Sequence, residues 1–178
     1  VSFAPAQSVI EVEPGQRKVE LKYHYTKNSG WAIMRWDITA DQSVISFNPY
    51  KKDGVTIATN FVGVAYKILE QYYNEETEET TTAALTITPN LYNLPTKYNP
   101  ATLPENGSRL LIECADISLG DTTKAGEDFL ALYINIADDA KPGDYVMNIT
   151  TENVSAANNI NVAKENINVT IDPVTIRV

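Results

Sequence analysis

The stretch that decides the fold is Asp138-Asp-Ala-Lys-Pro-Gly-Asp-Tyr145, which separates two apolar-rich runs. The run before it, Phe129-Leu-Ala-Leu-Tyr-Ile-Asn-Ile-Ala137, places Leu or Ile at every second position from 130 to 136. The run after it, Tyr145-Val-Met-Asn-Ile-Thr-Thr151, starts with a Tyr directly beyond the Pro-Gly turn. Period-two apolar spacing that is interrupted by Pro-Gly predicts two antiparallel strands with one buried face.

The position of Tyr145 narrows the fold class. A Tyr that begins the strand after such a turn is typical of the tyrosine corner of immunoglobulin-like sandwiches, where the phenol hydroxyl binds upstream backbone. Further alternating stretches occur at 9–12, 17–25, 31–38, 43–47, 84–88 and 110–115, with turn residues between them. The sequence therefore predicts an all-β protein, an immunoglobulin-like or jelly-roll antiparallel β-sandwich.

Three segments depart from simple alternation. At about 59–74 the apolar residues follow a three-four spacing, which predicts one α-helix inserted between strands. Residues 89–104 are rich in Pro, Asn and Tyr, and this composition predicts a long loop. The alternation changes parity across Asp172-Pro173, which predicts a bulge or an edge strand that switches sheets.

Length and processing signals bound the organisation. The length of 178 residues predicts a single domain. We expect an N-terminal arm at 1–8 followed by the sandwich domain at 9–178. The chain begins with Val1 rather than Met and contains four acceptor sequons, so we expect a protein that is extracellular or at the cell surface after removal of a signal peptide. The possible glycosylation sites are Asn106, Asn148, Asn153 and Asn168.

Charge and residue counts exclude several functions. A formal net charge of -9 argues against nucleic acid and anionic membranes as partners, and no apolar run approaches the length of a membrane span. His24 is the sole histidine and no nucleophile motif is present, so we expect no catalysis. Cys114 is the sole cysteine, which excludes an intrachain disulfide. It shares the parity of Leu110 and Ile112 and is expected to act as a small apolar residue.

Carboxylates follow or precede many of the predicted strands. Calcium takes six to eight oxygen ligands and suits loops at strand ends, so these residues are candidate calcium ligands. The alternative is that Asp and Glu serve there as turn residues that keep the surface soluble. The sequence contains no Asp-x-Asp-x-Asp-Gly loop that would decide between the two. The candidates are Asp116, Asp121, Glu127, Asp128, Asp138, Asp139 and Asp144.

The N-terminal arm permits two arrangements. It can pack on its own domain as a split first strand, or it can complete the sheet of a neighbouring copy by donor-strand complementation. In the second arrangement its backbone pairing and the burial of Phe3 hold two copies together. The arm consists of Val1, Ser2, Phe3, Ala4, Pro5, Ala6, Gln7 and Ser8.

This arm is followed by Val12-Glu-Pro-Gly-Gln16, Gly30-Trp-Ala-Ile-Met-Arg-Trp36, the predicted helix and Lys141-Pro-Gly-Asp-Tyr145. The combination, on one acidic domain, resembles the cannula subunits of hyperthermophilic archaea and, more distantly, camelysin-type biofilm-fibre and archaeal bundling-pilus proteins. The resemblance implies an extracellular subunit that polymerises with copies of itself through N-terminal donor strands. It also implies calcium at the contacts between subunits.

Two functions follow from these observations. The first is a structural subunit of an extracellular filament or tubule, in which calcium neutralises acidic surfaces that otherwise repel each other. The alternative is a non-catalytic module of a secreted or surface protein that binds carbohydrate or protein. That module would use the 89–104 loop and Trp31, whose parity is opposite to that of the core residues.

Overall fold

The structure is a computed structural model that describes residues 1–28, 31, 33–41, 43–47, 66–68, 72–74, 79–81, 85–91, 109–116, 128–155 and 168–178. All regular elements in these ranges are strands, so the all-β prediction is confirmed, and none of the described elements is a helix that could span a membrane. The strands are β1 Ser2–Pro5, β2 Val9–Glu11, β3 Val19–Lys27, β4 Ile33–Thr39, β5 Ile45–Ser46, β6 Tyr66–Ile68, β7 Tyr72–Asn74, β8 Glu79–Thr81, β9 Leu85–Leu91, β10 Arg109–Asp116, β11 Asp128–Ile136, β12 Asp144–Ser155, β13 Thr170–Ile171 and β14 Val174–Arg177.

The strands form two large sheets and a small hairpin. The first sheet has the order β13-β1-β3-β11-β5, with β6 also paired to β11, and the second has the order β2-β14-β12-β4-β10-β9. Strands β7 and β8 pair only with each other among the described residues. Most pairs are antiparallel, whereas β1 with β13 and β2 with β14 are parallel.

The core lies between the inner faces of the two sheets. On β3, the residues Val19, Leu21, Tyr23 and Tyr25 are buried while Glu20 and Lys22 are exposed, as the alternation predicts. The inner positions of β4, β11, β12 and β14 are buried in the same manner. An aromatic cluster forms the centre of this core and contains Phe3, Tyr23, Tyr25, Trp31, Trp36 and Phe129.

The corner at Tyr145 is confirmed as a tyrosine corner. The Tyr145 hydroxyl donates a hydrogen bond of 2.9 Å to the backbone carbonyl of Lys141, and the ring packs against the core. A second turn, at Pro14-Gly15, docks against the same end of β11, where Gly15 N donates to Ala137 O at 3.0 Å. Gly15 has a φ of 78°, and a Cβ there would lie 2.9 Å from Asp138 Oδ1, so this turn requires glycine.

Both terminal segments switch sheets. The chain leaves the first sheet after β1 and enters the second as β2, and it repeats this step from β13 to β14 across Asp172-Pro173. The parity change at Asp172-Pro173 is therefore a strand that switches sheets, one of the two arrangements that the sequence predicts.

The predicted helix at 59–74 is wrong for the residues that the structure describes. Tyr66–Ile68 forms β6, antiparallel to Leu130–Leu132 of β11, and Tyr72–Asn74 forms β7. Tyrosine favours β-strands, and the edge of β11 at Leu130–Leu132 is available for pairing. Residues 66–68 therefore form a strand although their apolar spacing is compatible with a helix. Residues 59–65 and 69–71 lie outside the described residues.

The N-terminal arm pairs within its own chain, which is the split first strand of the sequence analysis. β1 lies between β3 and β13, and Phe3 is only 1% exposed, with its ring 4.7 Å from Tyr25, 5.0 Å from Trp36 and 4.8 Å from Phe129 between centroids. Donation of this strand to a neighbour would remove Phe3 from the core that the structure shows. Assembly by donor strands stays a prediction.

Candidate functional site

The candidate calcium ligands are divided between the two ends of the sandwich. Asp116 ends β10 and Asp128 begins β11 at one end, whereas Asp138, Asp139 and Asp144 lie at the other. Ten residues of extended chain separate Asp128 from Asp138, a distance of roughly 30 Å. Asp121 and Glu127 lie outside the described residues. The seven carboxylates therefore do not share one site, and in the described part of the chain no three His, Cys, Asp or Glu residues cluster in a metal-binding arrangement.

Two of these carboxylates form ion pairs with arginines. Arg17 Nη2 lies 2.7 Å from Asp138 Oδ1, and Arg177 binds Asp144 through two hydrogen bonds of 2.7 and 2.9 Å. The hydrogen bond from Arg177 lowers the pKa of the Asp144 carboxyl below its ordinary value. Asp138 and Asp144 thus act as partners of guanidinium groups in this structure. Calcium binding stays a prediction.

Trp31 does not form an exposed binding platform, and this part of the sequence interpretation is wrong. Its side chain is 0% exposed, it packs edge-on against Phe129, and its Nε1 donates to the Tyr25 hydroxyl at 3.0 Å. Trp31 precedes β4 rather than belonging to it, so the alternation of β4 does not fix its direction. Of the predicted 89–104 loop, residues 89–91 continue strand β9 and the rest lies outside the described residues.

The sequons have different settings. Asn148 is exposed on β12 and Asn168 is exposed just before β13, where its backbone carbonyl accepts a hydrogen bond from the Val1 amino group. Asn153 lies within β12, and Asn106 lies outside the described residues. Glycosylation of these sites stays a prediction.

The outer face of the second sheet is a candidate interaction surface with a continuous backbone frame. Inner positions such as Met34, Trp36 and Ile38 of β4 are 0% exposed, so the residues between them face outward. Strands β2, β14, β12, β4, β10 and β9 lie side by side across this face. A strand here has about seven residues, each adding about 3.3 Å, and neighbouring strands lie about 4.8 Å apart. The face of the six strands therefore covers roughly 550 Å².

The cationic residues of this face are all arginines. The chain has four arginines: Arg35 and Arg177 occupy outward positions on β4 and β14, and Arg109 is the first residue of β10 in the same sheet. The six strands of the second sheet contain no lysine. Protein interfaces are enriched in arginine and depleted in lysine, because a planar guanidinium forms several directed hydrogen bonds and is weakly hydrated.

The ladders arrange the other outward residues in cross-strand rows. Arg35 is paired with Glu113 on one side and Glu152 on the other. In the next row Asp37, which is only 9% exposed, is paired with Leu111 and Thr150. Arg35 and Asp37 thus lie in neighbouring rows at the centre of the sheet, and the exposed Thr150 stands beside Asp37.

An apolar row crosses the same face nearer to β2. Val146 is 49% exposed and Val9 is 38% exposed, and these are the exposed large apolar residues in the described part of the chain. The register pairs Val146 with Thr175, and Thr175 with Val9. The two valines thus lie in one row, separated by a single strand, roughly 10 Å apart.

The outer face of the first sheet has a different character. Lys18 Nζ lies 5.5 Å from the centre of the Tyr133 ring, and the Tyr133 hydroxyl donates to Glu20 Oε2 at 3.1 Å. Lys22 Nζ lies 3.5 Å from Glu20 Oε1. These cations are lysines, and their contacts are made within the face. Lysine-bearing surfaces of this kind are ordinary solvated faces.

In sequence, the chain matches no protein-family model and none of the curated proteins. In structure it is similar to cohesins. A type I cohesin–dockerin complex from Clostridium thermocellum aligns at 12% identity, with 99% of both chains covered and a TM-score of 0.52. A scaffoldin cohesin of Acetivibrio cellulolyticus, solved with a dockerin, aligns at 13% identity, with 99% and 96% coverage and a TM-score of 0.51.

A third similar structure is the seventh ScaB type I cohesin of Pseudobacteroides cellulosolvens, at 10% identity, 99% coverage of this chain, 90% of that chain and a TM-score of 0.53. At these identities the likeness shows that this chain has a cohesin-like β-sandwich fold. It says nothing further about its residues.

Sequence reasoning missed the outer face of the second sheet as a unit. Single strands did show an arginine next to apolar residues that are buried, at Arg35, Arg109 and Arg177. That they lie in one sheet follows only from the strand order, which places β14, β12, β4 and β10 side by side.

Proposed function

We propose that this chain is a non-catalytic protein-binding module of an extracellular or cell-surface protein, and that a partner protein covers the outer face of the second sheet. The observation that carries the proposal is that three of the four arginines lie in the strands of this sheet, Arg35 and Arg177 at outward positions, while these strands contain no lysine. Arginine without lysine is the composition of an interface rather than of a solvated surface.

The dimensions of the face fit this role. A face of roughly 550 Å² is somewhat smaller than the contribution of one partner to a standard interface, about 800 Å². The backbone beneath it is a six-stranded sheet, so a partner would meet a preformed surface and little conformational entropy would be lost on binding.

The fold supports the same class of function. Two of the similar structures are cohesins solved with a dockerin, so sandwiches of this shape serve as protein receptors. We propose the same general role here, with a partner whose chemistry complements the Arg35 and Asp37 rows. The carbohydrate-binding alternative loses its main residue, since the Trp31 side chain is buried.

The test begins with partners captured from the medium of the cells that make this protein, followed by calorimetry with each purified candidate. Thr150→Arg places a bulky cation at the centre of the face, where the Thr150 side chain is exposed. We expect it to weaken binding at least tenfold, which is about 1.4 kcal/mol. The matched control is Thr26→Arg on the first sheet, where Thr26 is also exposed.

The control variant is expected to bind within about twofold of the unmodified chain, a difference of about 0.4 kcal/mol. Equal affinity of Thr150→Arg and the unmodified chain for every purified partner would refute the assignment of this face. A loss of binding in Thr26→Arg alone would move the interface to the first sheet.

A further inference from the structure

Strand β2 forms one edge of the second sheet, and no strand among the described residues pairs with its outer side. Thr175 N donates to Ser8 O at 2.9 Å, and Val12 N donates to Arg177 O at 2.9 Å. In a parallel ladder, alternate residues bond to the neighbouring strand, so residues 8, 10 and 12 face β14. The N–H and C=O groups of Val9 and Glu11 therefore point away from the sheet.

The other described edges of the two large sheets are less suited to pairing. Strand β9 contains Pro89, which cannot donate to a ladder, and β13 has only two residues and is followed by Asp172-Pro173. Strands β5 and β6 share one edge as two short pieces. By contrast, the ladder bonds at Ser8 and Val12 keep β2 extended over five residues.

The side chains beside this edge combine apolar and acidic character. Val9 is 38% exposed and ends the row that runs through Thr175 to Val146. Glu11 is exposed in the next row, where Arg177 lies between it and Asp144.

A groove of about 630 Å³ continues from the end of the edge strand and is lined by Glu11, Val12, Glu13, Gln16, Arg177 and Val178. Arg177 forms two hydrogen bonds with Asp144 and also interacts electrostatically with Glu11, so this one guanidinium lies between two carboxylates. The exposed carboxylates of Glu11 and Glu13 then leave the groove negative. Such a surface attracts an extended chain that brings cations.

We propose that β2 accepts an extended, cationic segment of a partner protein as an added strand, with its backbone paired to Val9 and Glu11 and its Lys or Arg side chains beside Glu11 and Glu13. Backbone pairing would supply affinity and the acidic groove would select for positive charge. A second copy of this chain is disfavoured at this edge, because it would bring its own Glu11 and Glu13 and a net charge of -9.

This inference is independent of the proposed function, since it concerns the sheet edge and not the outer face. Its test uses a synthetic peptide, acetyl-Lys-Val-Lys-Val-Lys-Val-Lys-amide, added to the full chain labelled with nitrogen-15. We expect saturable amide shifts centred on Val9, Glu11 and Thr175, and at least tenfold slower hydrogen exchange at Val9 and Glu11. Added salt should weaken both effects, because the selecting charges are exposed.

Two peptide controls define the recognition. The acidic peptide in which Glu replaces every Lys should leave these amides unchanged. A cationic peptide with N-methyl groups on every residue should also fail, because neither edge of its backbone can then pair with β2.

Variants of the full chain complete the test. Val9→Pro removes the outward N–H without removing a bond to β14, and it should abolish protection, whereas Val9→Thr keeps the N–H and should bind. If Val9→Pro does not fold, Glu11→Lys keeps the backbone and should weaken the cationic peptide at least fivefold. Unchanged amides at Val9 and Glu11, equal binding of the acidic peptide, or protection that rises with protein concentration alone would overturn the proposal. The Thr150→Arg variant should still bind the cationic peptide, and this result would separate the β2 edge from the proposed interface on the outer face.

Discussion

Replacement of Phe3 by Ala tests whether the N-terminal arm belongs to the chain that carries it. Phe3 is 1% exposed, and its ring lies within 5.0 Å, between centroids, of Tyr25, Trp36 and Phe129. Core Phe→Ala changes cost about 3–5 kcal/mol, and three aromatic neighbours place this site near the upper end. We therefore expect the free energy of unfolding to fall by about 4 kcal/mol. For a domain of this size, each kcal/mol shifts Tm by about 2–4 °C, so Tm should fall by about 8–16 °C.

The assay is equilibrium unfolding in guanidinium chloride, followed by tryptophan fluorescence over a hundredfold range of protein concentration. Val146→Ala is the control, because the exposed Val146 side chain should contribute less than about 1 kcal/mol. If Phe3 is donated to a neighbour, stability is linked to association and the midpoint rises with concentration. A concentration-dependent midpoint, or a loss below about 1 kcal/mol in Phe3→Ala, would refute the intrachain first strand and favour the donor-strand hypothesis.

Three further predictions concern the end of the sandwich near Asp138. Tyr145→Phe removes the hydrogen bond to the Lys141 carbonyl and should cost about 1 kcal/mol, measured as a Tm lower by about 2–4 °C. Gly15→Ala places a Cβ against Asp138 at a positive φ and should cost about 1–2 kcal/mol in the same thermal assay, whereas Ala at Gly143, which has an ordinary φ, should cost less. Because the hydrogen bond from Arg177 lowers the pKa of Asp144, this carboxylate stabilises the fold above its ordinary pKa of about 3.9, and the contribution is lost as pH falls through the folded-state pKa. Asp144→Asn should remove the part of the fall in the unfolding midpoint that this carboxylate causes as the pH drops below about 4, and an unchanged pH profile would contradict the assignment.

The strands were predictable where one face is buried. On β3 the alternation of apolar residues follows directly from burial of one face, whereas β11 is buried at positions of both parities. The Pro-Gly pairs mark the turn after β2 and the corner before β12. The tyrosine corner was predictable because it depends on a local hydrogen bond between Lys141 and Tyr145. These features need only a few neighbouring residues.

The errors have long-range causes. The spacing at 59–74 is compatible with a helix, but pairing of Tyr66–Ile68 with the distant β11 makes that part a strand. The burial of Trp31 likewise depends on Phe129 and Tyr25 rather than on its own alternation. The division of the carboxylates between two ends required the direction of each strand, which no local pattern gives.

The edge at β2 follows from the way both ends of the chain cross between the sheets. If the first strand stayed in the first sheet, residues 9–11 would extend β1 beside β3 and their backbone groups would be paired on that side. Instead the chain leaves the first sheet after β1 and again after β13, and β2 and β14 join the second sheet as a parallel pair. Since β14 already bonds β12 on its other side, β2 becomes the last described strand of this sheet, and its outer backbone groups bond to no other described strand. The crossing that buries Phe3 in the core thus also places Val9 and Glu11 where an added strand can pair, so the stability of the arm and the availability of this edge should change together.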